Sequence, residues 1–158
     1  MKEYQSKIQE IKIYERIKAE SGFSALIKEA AGQPSRHTSF TILTDDEKKI
    51  LDEFIPSAVN ECIIAINRCL SPCTLTEESE NIDNKDFRIY IFNLLLPENF
   101  PQEMLTTLNR ILVDYISNRS MQQWYMLAKA EDADVCAARA QSAMALLRET
   151  LYLRSRPQ

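Results

Sequence analysis

The chain contains 158 residues, of which 45% are hydrophobic and 27% are charged. That length suits one compact domain over residues 1–158, and that composition excludes a collagenous or wholly disordered chain. The formal net charge of −4 argues against a DNA-binding surface, which needs clustered Lys and Arg. Only two glycines occur, Gly22 and Gly32, and so few residues tolerant of positive φ leave little material for the tight turns of an all-β fold.

The N-terminal residues predict a helix. Tyr4 and Ile8 recur at helical spacing within residues 2–19, with Lys and Glu between them. A break at Gly22 separates this helix from a second, shorter one. We therefore expect residues 1–35 to form a flexible N-terminal helix or arm.

The next segment carries a stronger helical signal. Thr44–Glu47 has the pattern of a capping box, in which the threonine hydroxyl accepts a hydrogen bond from an amide of the first turn. Apolar residues then keep the helical rhythm from Ile50 to Leu70, so we predict one long amphipathic helix. Pro56 lies inside it, where the missing N–H and the ring should bend the axis.

Two segments have strand character, and an acidic stretch separates them. They are residues 73–78 and residues 87–96, the second of which is rich in Phe, Ile and Tyr. The acidic stretch is too polar for a core, so we predict a β-hairpin insertion over residues 73–96 with a solvated tip. Both faces of the second strand are apolar, and an isolated hairpin is marginal in water. The hairpin is therefore expected to lie on the helices or on a partner chain, and one of its two faces is a candidate for contact with a neighbour.

The C-terminal third predicts a helical hairpin. Pro101 suits the first position of a helix, and an apolar stripe continues from it to about Leu127. Glu131 opens a last, alanine-rich helix, whose small side chains permit close approach of the helix axes. The predicted fold class is mostly α, a helical bundle of three to four long helices with one β-hairpin.

The residue patterns give no indication of catalysis. His37, the only histidine, lies in a polar loop segment. The neighbouring carboxylates Asp45 and Asp46 are explained as charges at a helix start. Two glycines cannot supply a P-loop or a dinucleotide-binding loop. We expect neither enzymatic activity nor a cofactor.

Four cysteines occur: Cys62, Cys69, Cys73 and Cys136. The opening residues lack the apolar stretch of a signal peptide, so we expect reduced thiols. The alternative is a zinc site built from the first three, but only Cys69 and Cys73 come close to the paired spacing of zinc ligands. Buried free cysteines are the expectation, with no metal.

The candidate interaction residues are hairpin residues, aromatic residues and residues near the C terminus. Trp124 and Tyr125 suit either an interface or a core, since aromatic residues are frequent in both. Three bulky residues in succession, Leu151–Leu153, cannot all face one core from a helix. The full set of candidates is Tyr90, Phe92, Leu94, Trp124, Tyr125, Tyr152, Leu153, Arg154 and Arg156.

Four segments of the sequence carry a further pattern, which consists of helices and a C-terminal motif. They are Phe40-x-Ile42-x-Thr44 with Asp46, the turn that contains Pro97, the helix with Tyr115-Ile116 and Trp124, and the C-terminal Leu151-Tyr152-x-Arg154-x-Arg156-Pro157. Over most of residues 40–157 this pattern resembles head-to-tail connector or neck proteins. These are small proteins encoded beside virion structural genes in phages and prophages of Bacteroides-type bacteria.

This resemblance implies a non-enzymatic virion structural protein, a helical subunit repeated in a ring that links the portal to the tail. The implied partners are copies of the chain, portal and tail or neck proteins, and DNA that passes through the channel without sequence-specific binding. No membrane is implied. The implied location is the neck and tail region of the virion, after assembly in the bacterial host cytoplasm. The alternatives are a soluble helical adaptor or regulatory protein of a bacterium or mobile element, and a small enzyme of unrecognised type.

Overall fold

The chain folds into helices and strands. A computed structural model describes residues 2–30, 45–69, 72–82, 84–128 and 130–155. In chain order the described elements are β1 (Lys2–Gln9), α1 (Glu10–Ala30), α2 (Asp45–Cys69), β2 (Cys73–Ile82), β3 (Lys85–Leu96), α3 (Glu103–Ala128) and α4 (Ala130–Ser155).

The three described strands form one antiparallel sheet in the order β1-β3-β2. On one side of the central strand β3, Lys2 of β1 pairs with Leu96. On the other side, Cys73 of β2 pairs with Leu94. The expectation of a helical bundle with one β-hairpin is therefore wrong. A third strand from the N-terminal region completes a sheet, and the fold is α+β.

Strand β1 occupies residues for which the sequence predicted a helix. Ser6 and Ile8 are buried, whereas Lys7 between them is exposed, so the segment has the alternation of a strand. A spacing of four residues fits one face of a helix and one face of a strand alike, so Tyr4 and Ile8 could not distinguish the two. Pairing with β3 makes this segment part of the sheet rather than an arm.

Helix α1 begins at Glu10 and continues through Gly22, where the sequence predicted a break. A glycine inside a helix costs only about 1 kcal/mol relative to alanine, an amount that packing readily offsets. The adjacent Ser21 is buried, and its hydroxyl donates a hydrogen bond to the carbonyl oxygen of Lys18 at 3.1 Å. Glu10 in the first turn complements the positive end of the helix dipole.

Strands β2 and β3 form the predicted hairpin, which is longer than expected. Ile82 pairs with Lys85, so a tight turn joins the two strands. Asn84 in this turn has a φ of 62°, a left-handed conformation that asparagine tolerates better than most residues. Most of β2 is exposed, in agreement with its acidic composition.

Three of the described helices pack against the sheet. Helix α1 packs on β3, α2 on β2, and α3 on β1. Tyr90, Phe92 and Leu94 of β3 are buried in the core formed by these contacts. Phe87, nearer the hairpin tip, meets the ring of Tyr14 on α1 edge to face, with ring centroids 5.9 Å apart. The hairpin is thus anchored on the helices of its own chain.

Helices α3 and α4 make the most extensive helix–helix contact among the described elements, as expected for a helical hairpin. At the start of α3, the Met104 amide donates to the carbonyl oxygen of Pro101 at 3.0 Å. The buried apolar positions of α4 recur at spacings of three and four residues. They are Ala133, Cys136, Ala140, Ala143, Leu147 and Leu151. Their mostly small side chains allow the two helices to approach closely.

Helix α2 agrees with the predicted long amphipathic helix and contains Pro56. The bend expected at Pro56 stays a prediction. Thr44 and His37 lie outside the described residues, as do the side chains of Asp45 and Asp46.

Candidate interaction site

A groove opens between α2, α3 and α4, because α4 packs mainly on α3 and contacts α2 less. Its volume is about 480 Å³. The small side chains of Ala65, Ala137 and Ala140 lie along it and leave room between the helices. Its charged and amide-bearing lining residues are Glu61, Arg68, Arg119, Gln122, Gln141 and Arg148. We call this feature the arginine groove.

The wall of the arginine groove is organised around Glu61 of α2. The Tyr115 hydroxyl of α3 donates a hydrogen bond to Glu61 Oε2. Arg119 of α3 donates from Nε to Glu61 Oε1 at 3.2 Å, and from Nη1 to Gln122 Oε1 at 3.0 Å. Burial, reinforced by the Glu61 carboxylate, raises the pKa of Tyr115 well above its usual value. Tyr115 therefore stays protonated and serves as a hydrogen-bond donor.

Two further arginines line the groove from opposite walls. Arg68 belongs to α2 and Arg148 belongs to α4, and both are exposed. Within the described part of the chain neither forms an ion pair. Because the single groove carboxylate, Glu61, already pairs with Arg119, the groove carries an excess of positive charge. A planar guanidinium suits two-pronged recognition of a carboxylate.

A second groove of about 410 Å³ lies on the other flank of α4. Arg16 of α1 lines it and donates from Nε to Glu20 Oε1 at 3.0 Å and from Nη1 to Asp114. The charge of Arg16 is thus compensated by two carboxylates, and the exposed Arg139 of α4 also lines this groove. Ala138 and Leu146 of α4 supply apolar surface. We call this feature the apolar groove.

Apolar side chains on α4 and α2 remain open to solvent. Val135 and Leu146 of α4 are 55% and 45% exposed. Eleven residues correspond to about three helical turns, so these two side chains lie on the same face of α4. Ile64 of α2, at the arginine groove, is 55% exposed.

The structure separates the interaction candidates predicted from the sequence. Five lie in the core of the chain: Tyr90, Phe92, Leu94, Trp124 and Tyr125. The Trp124 and Tyr125 rings pack edge to face with centroids 4.9 Å apart. Tyr152 is 53% exposed. The side chains of Leu153, Arg154 and Arg156 lie outside the described residues.

The four cysteines are free thiols, and three are buried. Burial raises the pKa of Cys73 to about 11 and that of Cys136 to about 11, and it also raises the pKa of Cys62. Since the thiolate is the reactive form and the metal ligand, these groups are in an unreactive state. Over the described ranges no three His, Cys, Asp or Glu side chains are grouped as metal ligands.

Two tyrosines donate hydrogen bonds to acidic side chains between the elements. The Tyr90 hydroxyl donates to Glu10 Oε2 at 3.1 Å, and the Tyr14 hydroxyl donates to Asp52 Oδ1. Burial, reinforced by neighbouring carboxylates, raises the pKa of both tyrosines far above the usual value. A general acid or base works best with a pKa near the operating pH, so these hydroxyls suit a structural role.

Sequence reasoning did not single out the residues of the arginine groove. Glu61, Arg68, Arg119 and Arg148 are separated widely along the chain and lie on three helices. Each taken alone has the pattern of a solvent-facing helical residue. Only the packing of α4 against α3 brings Arg148 beside the other arginines.

No protein-family model, curated protein or solved structure matches the chain. Of the helices in the described part, none combines the length and the hydropathy needed to cross a bilayer.

Proposed function

We propose that the protein is a non-enzymatic structural subunit that assembles with copies of itself, as a head-to-tail connector or neck subunit between a portal and a tail. The observation that carries this proposal is the surface of α4. This helix lines the arginine groove on one flank and the apolar groove on the other, and its Val135 and Leu146 side chains remain exposed.

Two different grooves suit assembly into a ring. In a ring each subunit presents one face to one neighbour and a different face to the next, which is a heterologous contact. Single exposed apolar residues are ordinary on protein surfaces and carry no such implication. Here Leu146 of α4 lines the apolar groove, and Ile64 of α2 lines the arginine groove, each of which measures several hundred cubic ångströms. The combination favours contact with other protein surfaces.

The state of the polar groups supports a non-enzymatic role. Burial keeps the described tyrosines with raised pKa values protonated, and it does the same for the buried thiols. The location in the virion neck, the portal and tail partners, and the passage of DNA follow from the sequence resemblance. A formal net charge of −4 is compatible with a channel through which DNA slides without sticking.

The test is the mass of the purified chain as a function of concentration, measured by sedimentation velocity, together with electron microscopy. We expect masses that are multiples of 18.2 kDa and closed rings with a central opening. A mass of 18.2 kDa at every concentration, with or without purified portal, would overturn the proposal. A dimer that never grows further would favour the adaptor function instead.

A pair of matched variants tests the role of the exposed α4 surface. Val135→Ala with Leu146→Ala removes apolar area from α4 while keeping helix-forming residues. The control, Met126→Ala with Leu127→Ala, removes apolar side chains that are 61% and 72% exposed at the end of α3. The α4 variant should weaken assembly by at least about tenfold, given roughly 25 cal/mol for each Å² of apolar area. If the two variants assemble equally well, the exposed surface of α4 does not support the proposed function.

A further inference from the structure

We infer that the arginine groove of one copy receives the acidic edge strand β2 of a second copy, with Glu77 and Glu78 opposite Arg68 and Arg148. This inference rests on the proposed self-assembly and specifies the contact that produces it.

The charge of the chain is divided unequally. Residues 74–86 contain five acids and one lysine, so this segment accounts for the whole formal charge of −4, and the acids and bases of the other residues balance. Glu77 and Glu78 in this segment are exposed. The arginine groove carries the opposite sign, since Arg68 and Arg148 add to the pair of Arg119 with Glu61. One molecule therefore presents two complementary surfaces.

The geometry of β2 suits its insertion into the arginine groove by its outer edge, which faces away from β3. Within the described part of the chain β2 pairs with β3 alone, so its outer edge has no neighbouring strand. Successive side chains of a strand point to opposite faces. A strand that enters the groove along its edge therefore directs Glu77 toward one wall and Glu78 toward the other. The arginines are placed for this arrangement, because Arg68 lies on α2 and Arg148 lies on α4.

Small side chains form much of the α4 wall of the groove. Ala137, Ala140 and Ala145 of α4 line it, and their small side chains permit the close approach of another backbone. The exposed Ile64 and the half-buried Met144 add apolar contact beside the charges. Arg88 of β3 lies near Glu77 and offsets part of its charge within the chain. Glu78, on the opposite face of β2, lies away from that arginine.

The same charges disfavour the two symmetric contacts. Two β2 edges that paired directly would set glutamates against glutamates, and like charges opposite each other destabilise a strand pair. Two arginine grooves that faced each other would repel in the same way. Each surface therefore binds the complementary surface of a second copy rather than the identical surface. This is a heterologous contact, the kind that can close a ring.

The experiment uses charge reversal in the full chain, with mass measured by sedimentation velocity. The groove variant is Arg68→Glu with Arg148→Glu, and the strand variant is Glu77→Lys with Glu78→Lys. Each should weaken self-association roughly 100-fold, because juxtaposed like charges cost several kcal/mol at an interface. The combined fourfold variant exchanges the signs and keeps the net charge, so it should assemble again. Far-ultraviolet circular dichroism verifies that each variant is folded.

A charge-matched control separates the contact from the effect of net charge. Lys7→Glu with Lys12→Glu makes the same change in net charge as the groove variant, at exposed positions outside the arginine groove. It should assemble like the original chain. If this control dissociates as completely as the groove variant, net charge governs assembly and the inferred contact is overturned.

The remaining outcomes distinguish the contact from the proposed function. If the original chain assembles and both reversed variants assemble equally well, the contact is wrong and the structural function stands. If the reversed variants dissociate but the fourfold variant does not recover, these two surfaces do not meet, which also overturns the contact. If the original chain is a monomer throughout, the proposed function itself fails.

Discussion

Arg119 of α3 donates from Nε to Oε1 of Glu61 on α2 at 3.2 Å, and this pair forms one wall of the arginine groove. The Tyr115 hydroxyl donates to the second oxygen of the same carboxylate. Two helices are thereby joined through one half-buried glutamate. That glutamate is already paired with Arg119, and it is the one carboxylate among the lining residues, so Arg68 and Arg148 add uncompensated positive charge to the groove.

The first prediction concerns Glu61. Glu61→Ala removes the acceptor of both Tyr115 and Arg119, and unsatisfied partly buried donors cost about 1 to 3 kcal/mol. The free energy of unfolding from urea titration should fall by about that amount. The control is Glu53→Ala, an exposed position on the same helix, which should change it by less than about 0.5 kcal/mol. Equal effects at the two positions would show that the Glu61 contacts contribute nothing to stability.

The second prediction concerns the N-terminal strand. Ile8 is fully buried and pairs across the sheet with Tyr90, so Ile8→Ala should lower the free energy of unfolding by about 2 to 5 kcal/mol. Lys7→Ala, at the exposed neighbouring position, should have little effect. Thermal and urea unfolding measure both. If Ile8→Ala is as mild as Lys7→Ala, residues 2–9 do not contribute to the core.

The third prediction separates core from surface among the aromatic candidates. Trp124 is 4% exposed and packs against Tyr125, so Trp124→Ala should destabilise the fold by about 3 to 5 kcal/mol. Tyr152→Ala, at a position 53% exposed, should cost less than about 1 kcal/mol. Urea unfolding of the two variants gives the comparison. A mild effect of Trp124→Ala would return Trp124 to the set of surface candidates.

The fourth prediction is a loss of stability at high pH. Burial raises the pKa of Cys73 and of Cys136 to about 11 from 9.0. Between those values the unfolded chain releases thiol protons that the folded chain keeps, so the free energy of unfolding falls as pH rises through this window. Well below pH 9.0 both states hold the protons, and the thiols add no pH dependence.

The measurement is the urea midpoint from about pH 8 to about pH 11. In the double variant Cys73→Ala with Cys136→Ala, the urea midpoint should fall less steeply as the pH rises through the lower part of this range. The tyrosines still hold their protons there in both states. Cys69→Ala, at the half-buried cysteine, serves as the control. A midpoint that stays constant over the whole range would contradict the prediction.

The sequence predicts most of the helices and the hairpin, because their signals are local. The apolar rhythm of α2, the proline before α3 and the alanines of α4 each act within a few turns. Strand β1 has no such signal. Tyr4 and Ile8 fit both periods, and the buried residue between them is the polar Ser6. The residues of β3 that pair with this strand lie about 80 to 94 residues away in the sequence. Long-range pairing, and not local preference, determines β1.

The candidate site is less accessible to sequence reasoning than the fold. Aromatic residues such as Trp124 and Tyr125 suit a core as well as an interface, and tertiary packing placed them in the core. Arg68 and Arg148 each resemble an ordinary solvated residue of a helix. Their significance depends on the angle and distance between α2 and α4, which no local pattern encodes.

The most direct test of self-assembly through complementary grooves and strands is native mass spectrometry of an equimolar mixture. The two components are the variant Arg68→Glu with Arg148→Glu and the variant Glu77→Lys with Glu78→Lys, each of which should remain monomeric alone. When they are mixed, every contact again joins opposite charges, so we predict assemblies with equal numbers of the two chains in alternation. A mixture in which both chains keep the masses they have separately would contradict the account.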